Sequence, residues 1–207
     1  ARRNGRPHHF RPAAGMDVDE LRRQCAGGAH RAGAMDEPEI EAVNSRLAPS
    51  VGTCMVMGTA ATMMAITEAL GLALPGSSSI PAADSNHPRM CGVAGRRIVE
   101  MVWEDLTPDK ILTPAAFDNA IKVHMAMGGS TNAIIHVVAM ARRAGIPVDM
   151  ETFDRLSRQI PVLANVRPSG KYLMEDFFYA GGLRAMMQNL REKLDLSCIT
   201  VTGKTVG

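Results

Sequence analysis

Between Ser50 and Ser85 the chain reads SVGTCMVMGTAATMMAITEALGLALPGSSSIPAADS, and no other stretch constrains the fold as strongly. One cysteine, Cys54, lies in a turn of small residues. An apolar, Met-rich helix follows at once, and a loop of Gly, Pro and Ser ends it. Gly52, Thr53, Gly58 and Thr59 give a tight backbone with free N–H groups near the sulfur. Those groups and the helix macrodipole stabilise negative charge, which biases a thiol there toward thiolate. A thiolate can bind a metal or act as a nucleophile. The residues alone leave both open, beside the common role of cysteine as a small core residue.

A length of 207 residues suffices for one domain with a core, or for a domain and the edge of another. The 15 methionines are expected to fill an irregular core. A net charge of +2 provides no concentrated basic face, which argues against a nucleic-acid partner. No run approaches the roughly 20 apolar residues of a membrane span, so no membrane association is expected. Cys25, Cys54, Cys91 and Cys198 lack paired spacing, which excludes a disulfide framework and a zinc ribbon and suggests a reducing, cytoplasmic setting. The basic start, ARRNGRPHHFRP, has no apolar centre and does not read as a secretory signal.

The pattern along the chain is helical. MDVDELRRQC and DEPEIEAVNSRLA read as solvent-facing helices, the second with Pro38 in its first turn. ATMMAITEALGLAL is a strong helix and LPGSSSIPAADSNHP a loop. Another helix runs from Ser85 through WEDL, where Gly92 and Gly95 suggest close packing or close approach of a ligand. Thr113 caps a helix with Pro114 at its first position, and Gly128-Gly129 stop it. Ser130 caps a further, mostly apolar helix expected to be buried. DMETFDRLSRQI is amphipathic. PVLANV is a strand candidate, and a helical stretch breaks at Gly181-Gly182. SCITVTGKTVG alternates and predicts a strand followed by a turn.

Two further motifs can carry chemistry. PGSSSIPAADS holds Ser78 and Ser79 between prolines, offering hydroxyls at a rigid place. GGSTNA leads Ser130, Thr131 and Asn132 into a helix N-terminus, a setting suited to carboxylate or phosphate. Each is equally readable as plain connection chemistry. His124 and His136 sit on apolar helices and read as core histidines. No HExxH, GxGxxG or Walker pattern is present.

The blocks GTCMVMGTAATMMAITEALGLALPGSSSIPA and MAMGGSTNAIIHVVAMA resemble the dihydroxy-acid, phosphogluconate and sugar-acid dehydratase family. The likeness runs on through GRRIVEMVWEDLTPDKILT, PVLANVRPSGKYLMEDFFYAGGLRAMM and ITVTGKTVG, from Ser50 to the end. It implies an α/β fold: the helix-rich portion of the family's N-terminal α/β domain, with a C-terminal strand beginning the next domain. The divisions expected are 1–49, a weakly matching and partly disordered or weakly helical segment; 50–195, the partial N-terminal domain; and 196–207, the start of the C-terminal domain. The resemblance further implies an iron–sulfur cluster, of the 2Fe-2S kind, with Cys54 as one ligand, and a Mg²⁺ ion. Ser78, Ser79, Ser130 and Thr131 would line the substrate pocket. The reaction would remove water from a 2,3-dihydroxy acid to give a 2-keto acid. The family's CDKxxPG and TDGRxSG blocks are absent, so the chain resembles the middle of such an enzyme, and Cys25 and Cys91 gain no ligand role. CMVMGTAATM lies closer to pentonate dehydratases, arabinonate or xylonate, than to the branched-chain biosynthetic enzymes. A small-molecule sugar acid and a homo-oligomer, dimer or tetramer, are the partners implied. The rival expectations are an inactive truncated product or association module, and a dihydroxy-acid dehydratase of branched-chain amino acid biosynthesis.

Overall fold

This computed structural model describes residues 27–47, 52 and 55–207, with side chains at 27–42, 52 and 55–207. The predicted helix MDVDELRRQC, and with it Cys25, lies outside the described residues, as do Thr53 and Cys54. The chain divides into two compact units, Ala1–Ser50 and Val51–Gly207.

In the first unit a helical turn over 27–31 is followed by α1 (Glu37–Leu47). Asp36 and Glu39 cap its start reciprocally. The Glu39 N–H donates to Asp36 Oδ1 at 2.9 Å, and the Asp36 N–H donates to Glu39 Oε2 at 3.1 Å. The predicted helix start at Pro38 is therefore realised with its own cap.

The second unit holds α2 (Thr59–Ala69), α3 (Asn86–Trp103), α4 (Pro108–Ile111), α5 (Pro114–Met127), α6 (Asn132–Arg143), α7 (Met150–Ser157), α8 (Met174–Tyr179) and α9 (Gly182–Asn189). Helix α5 is its centre. Thr113 accepts from the Ala116 N–H at 3.2 Å, Pro114 opens the helix, and Gly128 ends it in the left-handed region at φ 59°. Ala116, Phe117, Ala120, Ile121, Val123, Ala126 and Met127 are all buried along it. Helix α2 packs on α5 through Ala61, Ala65, Ile66 and Ala69, and α7 adds Phe153 and Leu156. The small residues of α2 let the two backbones approach closely, and the large side chains of α5 fill the space between.

Three expectations are corrected. PVLANV is not a strand: 161–165 run irregularly, and Val166 makes one isolated bridge to Tyr172. SCITVTGKTVG is not a strand either. Ile199 and Thr205 form a single antiparallel bridge around a tight turn, and no extended strand occurs among the described residues. The alternating pattern is used differently, with Cys198, Thr200 and Val201 buried into the helices. The Val201 N–H donates to the Gly71 carbonyl at 2.7 Å. A Cβ on Gly71, whose φ is 82°, would stand 2.9 Å from the Ile199 carbonyl oxygen, so only glycine admits the tail there. Third, α6 is not buried all round. It buries Ala133, Val137 and Ala141 and leaves Ile135 and His136 exposed.

No helix among the described residues is long and apolar enough to cross a membrane.

Candidate functional site

The polar centre of the second unit is the meeting of two helix starts. Helix α2 begins after Gly58, which has no side chain to cap it. Its first ladder bond runs from the Thr62 N–H to the Gly58 carbonyl (3.0 Å), so the N–H groups of Thr59, Ala60 and Ala61 precede the ladder. Helix α6 begins beside it. Ser130 Oγ lies 3.2 Å from Thr59 Oγ1, and Asn132 Nδ2 donates to Thr59 Oγ1 at 3.1 Å. The Ser130 N–H donates to Thr62 Oγ1 at 3.0 Å, and the Asn132 N–H donates to Ser130 Oγ at 3.3 Å. Hydroxyls and amides from two distant parts of the sequence thus form one network at the positive ends of two helices.

His124 supports this network from below. Its Nε2 lies 3.1 Å from the Ser130 carbonyl oxygen. A carbonyl can only accept, so Nε2 carries the hydrogen and Nδ1 is left as an acceptor. That Nδ1 is buried and has no hydrogen-bond partner among the described residues. Burial pushes the His124 pKa down, against the opposing effect of its contacts with Ser130 and Gly129. The ring is held neutral and stands edge-on to Phe153, with centroids 6.3 Å apart. A Cβ on Gly129 would meet His124 Cδ2 at 2.5 Å and Thr62 Cγ2 at 2.7 Å, so the approach of α6 to α2 depends on glycine.

The segment that follows Cys54 is fastened to a separate part of the unit. The Met57 N–H donates to the Arg167 carbonyl (2.7 Å), and the Met174 N–H donates to the Met55 carbonyl (2.8 Å). Cys54 itself lies outside the described residues.

Ser78 and Ser79 are at the other end of α2. Glu68 accepts from the Gly76 N–H at 2.6 Å and from the Ser78 N–H at 2.9 Å, which ties their short 3₁₀ turn to the last helical turn. Thr59 and Glu68 are nine residues apart, about 14 Å along a helix axis. Ser78 and Ser79 therefore do not join Ser130 in one cluster. Ser79 Oγ accepts from the Leu183 N–H at 3.0 Å, while Ser78 Oγ is buried with no hydrogen-bond partner among the described residues. Ser78 also borders a cleft of about 310 Å³ along α2, together with Ala60, Met63, Met64 and Thr67. Thr131 is exposed, and its side chain makes no capping hydrogen bond.

The sequence motifs flagged Ser130 and Asn132. Thr59 was visible only as a small residue of the Cys54 turn, Thr62 only as part of the apolar helix that follows, and His124 only as a core histidine. Nothing local reveals that residues 68 to 73 positions apart along the chain meet.

The remaining described cysteines are unlike metal ligands. Cys198 is buried and receives a hydrogen bond from Asn119 Nδ2 at 3.6 Å, and burial pushes its thiol pKa up. Cys91 is exposed, with its Sγ 3.9 Å from His87 Nδ1. No group of three or more His, Cys, Asp or Glu among the described residues is placed to hold a metal ion. The described residues therefore do not complete a site for an iron–sulfur cluster or Mg²⁺.

A family model described as "Dihydroxy-acid/6-phosphogluconate dehydratase N-terminal" matches residues 8–207. The chain belongs to the dihydroxy-acid/6-phosphogluconate dehydratase family. That match reaches well before Ser50, where the motif resemblance begins. Three relatives of this dehydratase family show the degree of likeness. A 6-deoxy-6-sulfo-D-gluconate dehydratase of Pseudomonas putida is 47% identical over 84% of the chain and 30% of its own length. An L-arabinonate dehydratase of Rhizobium leguminosarum is 48% identical over 85% of the chain and 31% of its own length. A dihydroxy-acid dehydratase of Methanosarcina barkeri is 46% identical over 87% of the chain and 32% of its own length. The chain thus spans about a third of the curated dehydratases it matches.

Proposed function

We propose that this chain is part of the N-terminal domain of a hydro-lyase that converts a 2,3-dihydroxy sugar acid to its 2-keto acid. The C2 proton and the C3 hydroxyl leave as water, and the resulting enol tautomerises to the ketone. The match to a dehydratase N-terminal model over 8–207 carries this reading. The geometry supports it with a place for the acid end of the substrate. The hydroxyls of Thr59 and Ser130, the Asn132 amide and the N–H groups opening α2 offer neutral donors to a carboxylate, with no carboxylate of the network itself to repel it.

Cys54 would be one ligand of an iron–sulfur cluster, which with Mg²⁺ would supply Lewis-acid chemistry for loss of the C3 hydroxyl. The described helices would form one part of a wider α/β architecture. Within the family the preference for a pentonate rests on CMVMGTAATM around Cys54. Identity does not decide it, since the two sugar-acid relatives and the dihydroxy-acid dehydratase of Methanosarcina barkeri lie within two percentage points of one another.

The test is an assay of 2-keto acid release from L-arabinonate, 6-deoxy-6-sulfo-D-gluconate and 2,3-dihydroxyisovalerate. The protein tested is a relative-length dehydratase carrying residues 8–207 of this chain. Turnover of the first substrate above the third is expected, and Cys54→Ser should abolish both turnover and visible cluster absorption. Turnover and colour that survive Cys54→Ser overturn the ligand assignment. Preference for 2,3-dihydroxyisovalerate overturns the sugar-acid reading. A second reading, that the 207-residue chain is inactive alone, is favoured by the incomplete metal set among the described residues. Reconstitution of the isolated chain with iron and sulfide checks it: stable colour and dehydration would refute inactivity.

A further inference from the structure

A cleft of about 1110 Å³ opens in the second unit between α9 and the turn at 200–204. Arg184, Gln188 and Arg191 border it, four and three residues apart and so on one side of α9 and the 3₁₀ turn after it. Lys204 borders it from the 200–204 turn. Two threonines fix that turn. The Thr200 hydroxyl donates to the Lys204 carbonyl at 3.0 Å, so in the 2.8 Å contact between the two hydroxyls Thr202 is the donor. Thr202 Oγ1 in turn accepts the Lys204 N–H at 3.2 Å. Both hydroxyl hydrogens are used inside the turn, where they hold the backbone that carries the Lys204 ammonium.

The two carboxylates that border the cleft are already engaged. Glu68 accepts from the Gly76 and Ser78 N–H groups, and Glu100 accepts from Arg97 at 3.0 Å. Arg97 also donates to Glu104 and to the Val201 carbonyl, so it is neutralised in place. The side chains of Arg184, Arg191 and Lys204 differ: among the described residues none has an ion pair or a hydrogen bond. Three cations thus border one concavity without a counter-charge. A concave wall of one sign focuses its field into the space it encloses and concentrates anions there.

We propose that this cleft binds a small molecule carrying a phosphate group, at a site separate from the one proposed for the acid end of the substrate. Two guanidinium forks and an ammonium suit a phosphate dianion, whose oxygens accept paired N–H groups from arginine and a point charge from lysine. None of Thr59, Thr62, Ser130 and Asn132 borders the cleft, whereas Glu68 does. Glu68 is nine residues along α2 from Thr59, about 14 Å along the axis. A bound phosphate bridges α9 and the 200–204 turn, so it stabilises the unit as well as neutralising the three cations.

Isothermal titration of glycerol 3-phosphate into a relative-length dehydratase carrying residues 8–207 of this chain tests the proposal. Saturable binding that weakens with added salt is expected. Arg191→Gln and Lys204→Gln should each weaken it by about tenfold, and Arg184→Gln with Arg191→Gln by about 100-fold. Arg96→Gln removes the same charge from an exposed position outside the cleft and should leave binding unchanged. Succinate, a dicarboxylate, should bind more weakly, and L-arabinonate should not displace the phosphate ester. Circular dichroism of each variant separates a lost site from a lost fold. Absence of saturable binding overturns the proposal and assigns the cleft to chain outside these 207 residues. An equal loss in Arg96→Gln overturns it in favour of a diffuse ion atmosphere. Tighter binding of succinate overturns the phosphate assignment, and displacement by L-arabinonate overturns the separateness of the two sites.

Discussion

At the residue scale the second unit depends on a few polar atoms held in places that allow no exchange. Gly129 is one such place. Adding one methyl group drives it into His124 and Thr62 at once, and both belong to packed helices. Gly129→Ala is expected to destabilise the chain by about 1–3 kcal/mol, as overpacked cores do, and to separate Ser130 from Thr62. Urea unfolding checks the energy, and the chemical shift of the Ser130 amide checks the local bond. The cysteines divide in the same local manner. Cys91 is exposed, while Cys198 is buried with its thiol pKa raised by desolvation and the nearby Asp195. Iodoacetamide at pH 8 followed by peptide mass mapping should modify Cys91 well before Cys198. Equal rates would show that the tail carrying Cys198 opens readily.

Elements show which local signals suffice. Helix α5 was legible from end to end: Thr113, Pro114 and Gly128 are its cap, first residue and stop, all supplied by the helix's own sequence. Its apolar residues then needed only a partner. The start of α9 was less legible. Gly181-Gly182 marked a break, yet what holds α9 is Ser79, more than 100 residues earlier, whose Oγ accepts the Leu183 N–H. Ser79→Ala removes that acceptor from a buried donor and should cost about 1–3 kcal/mol. Amide exchange should accelerate at Leu183 ahead of the rest of α9, and unchanged exchange there would contradict the bond. The two strand expectations failed for a common reason. Alternation predicts which side chains face a core, but a strand also requires a neighbour with free backbone groups. The described neighbours of 196–207 are helices, whose backbone groups are already paired, and the turn at Gly71, which offers a single carbonyl to Val201 and no ladder.

Over the whole molecule, the second unit is a helical layer around α5 whose stability should follow His124 as pH falls. In the folded chain burial holds the imidazole pKa below its ordinary value of 6.5. The unfolded chain therefore binds the proton more readily. Stability is full above pH 6.5 and declines as pH drops from there toward the lowered folded pKa. Thermal unfolding of the wild type and of His124→Gln between pH 7.5 and 5 should show the steeper decline in the wild type. Parallel curves would mean that His124 is not the group responsible.

The sequence by itself determined the helices, their caps and stops, the apolar residues of α5 and the family, because each of these is written in contiguous or regularly spaced residues. It also marked Ser130 and Asn132 as polar residues at a helix start. Only the tertiary structure decided which helix start they meet. Thr59 and Thr62 reach them across some 70 residues, while Ser78 and Ser79 are held at the far end of α2 by Glu68. Packing decided this: small residues on α2 and Gly129 set how closely the backbones approach, and that spacing has no periodic signature in the chain.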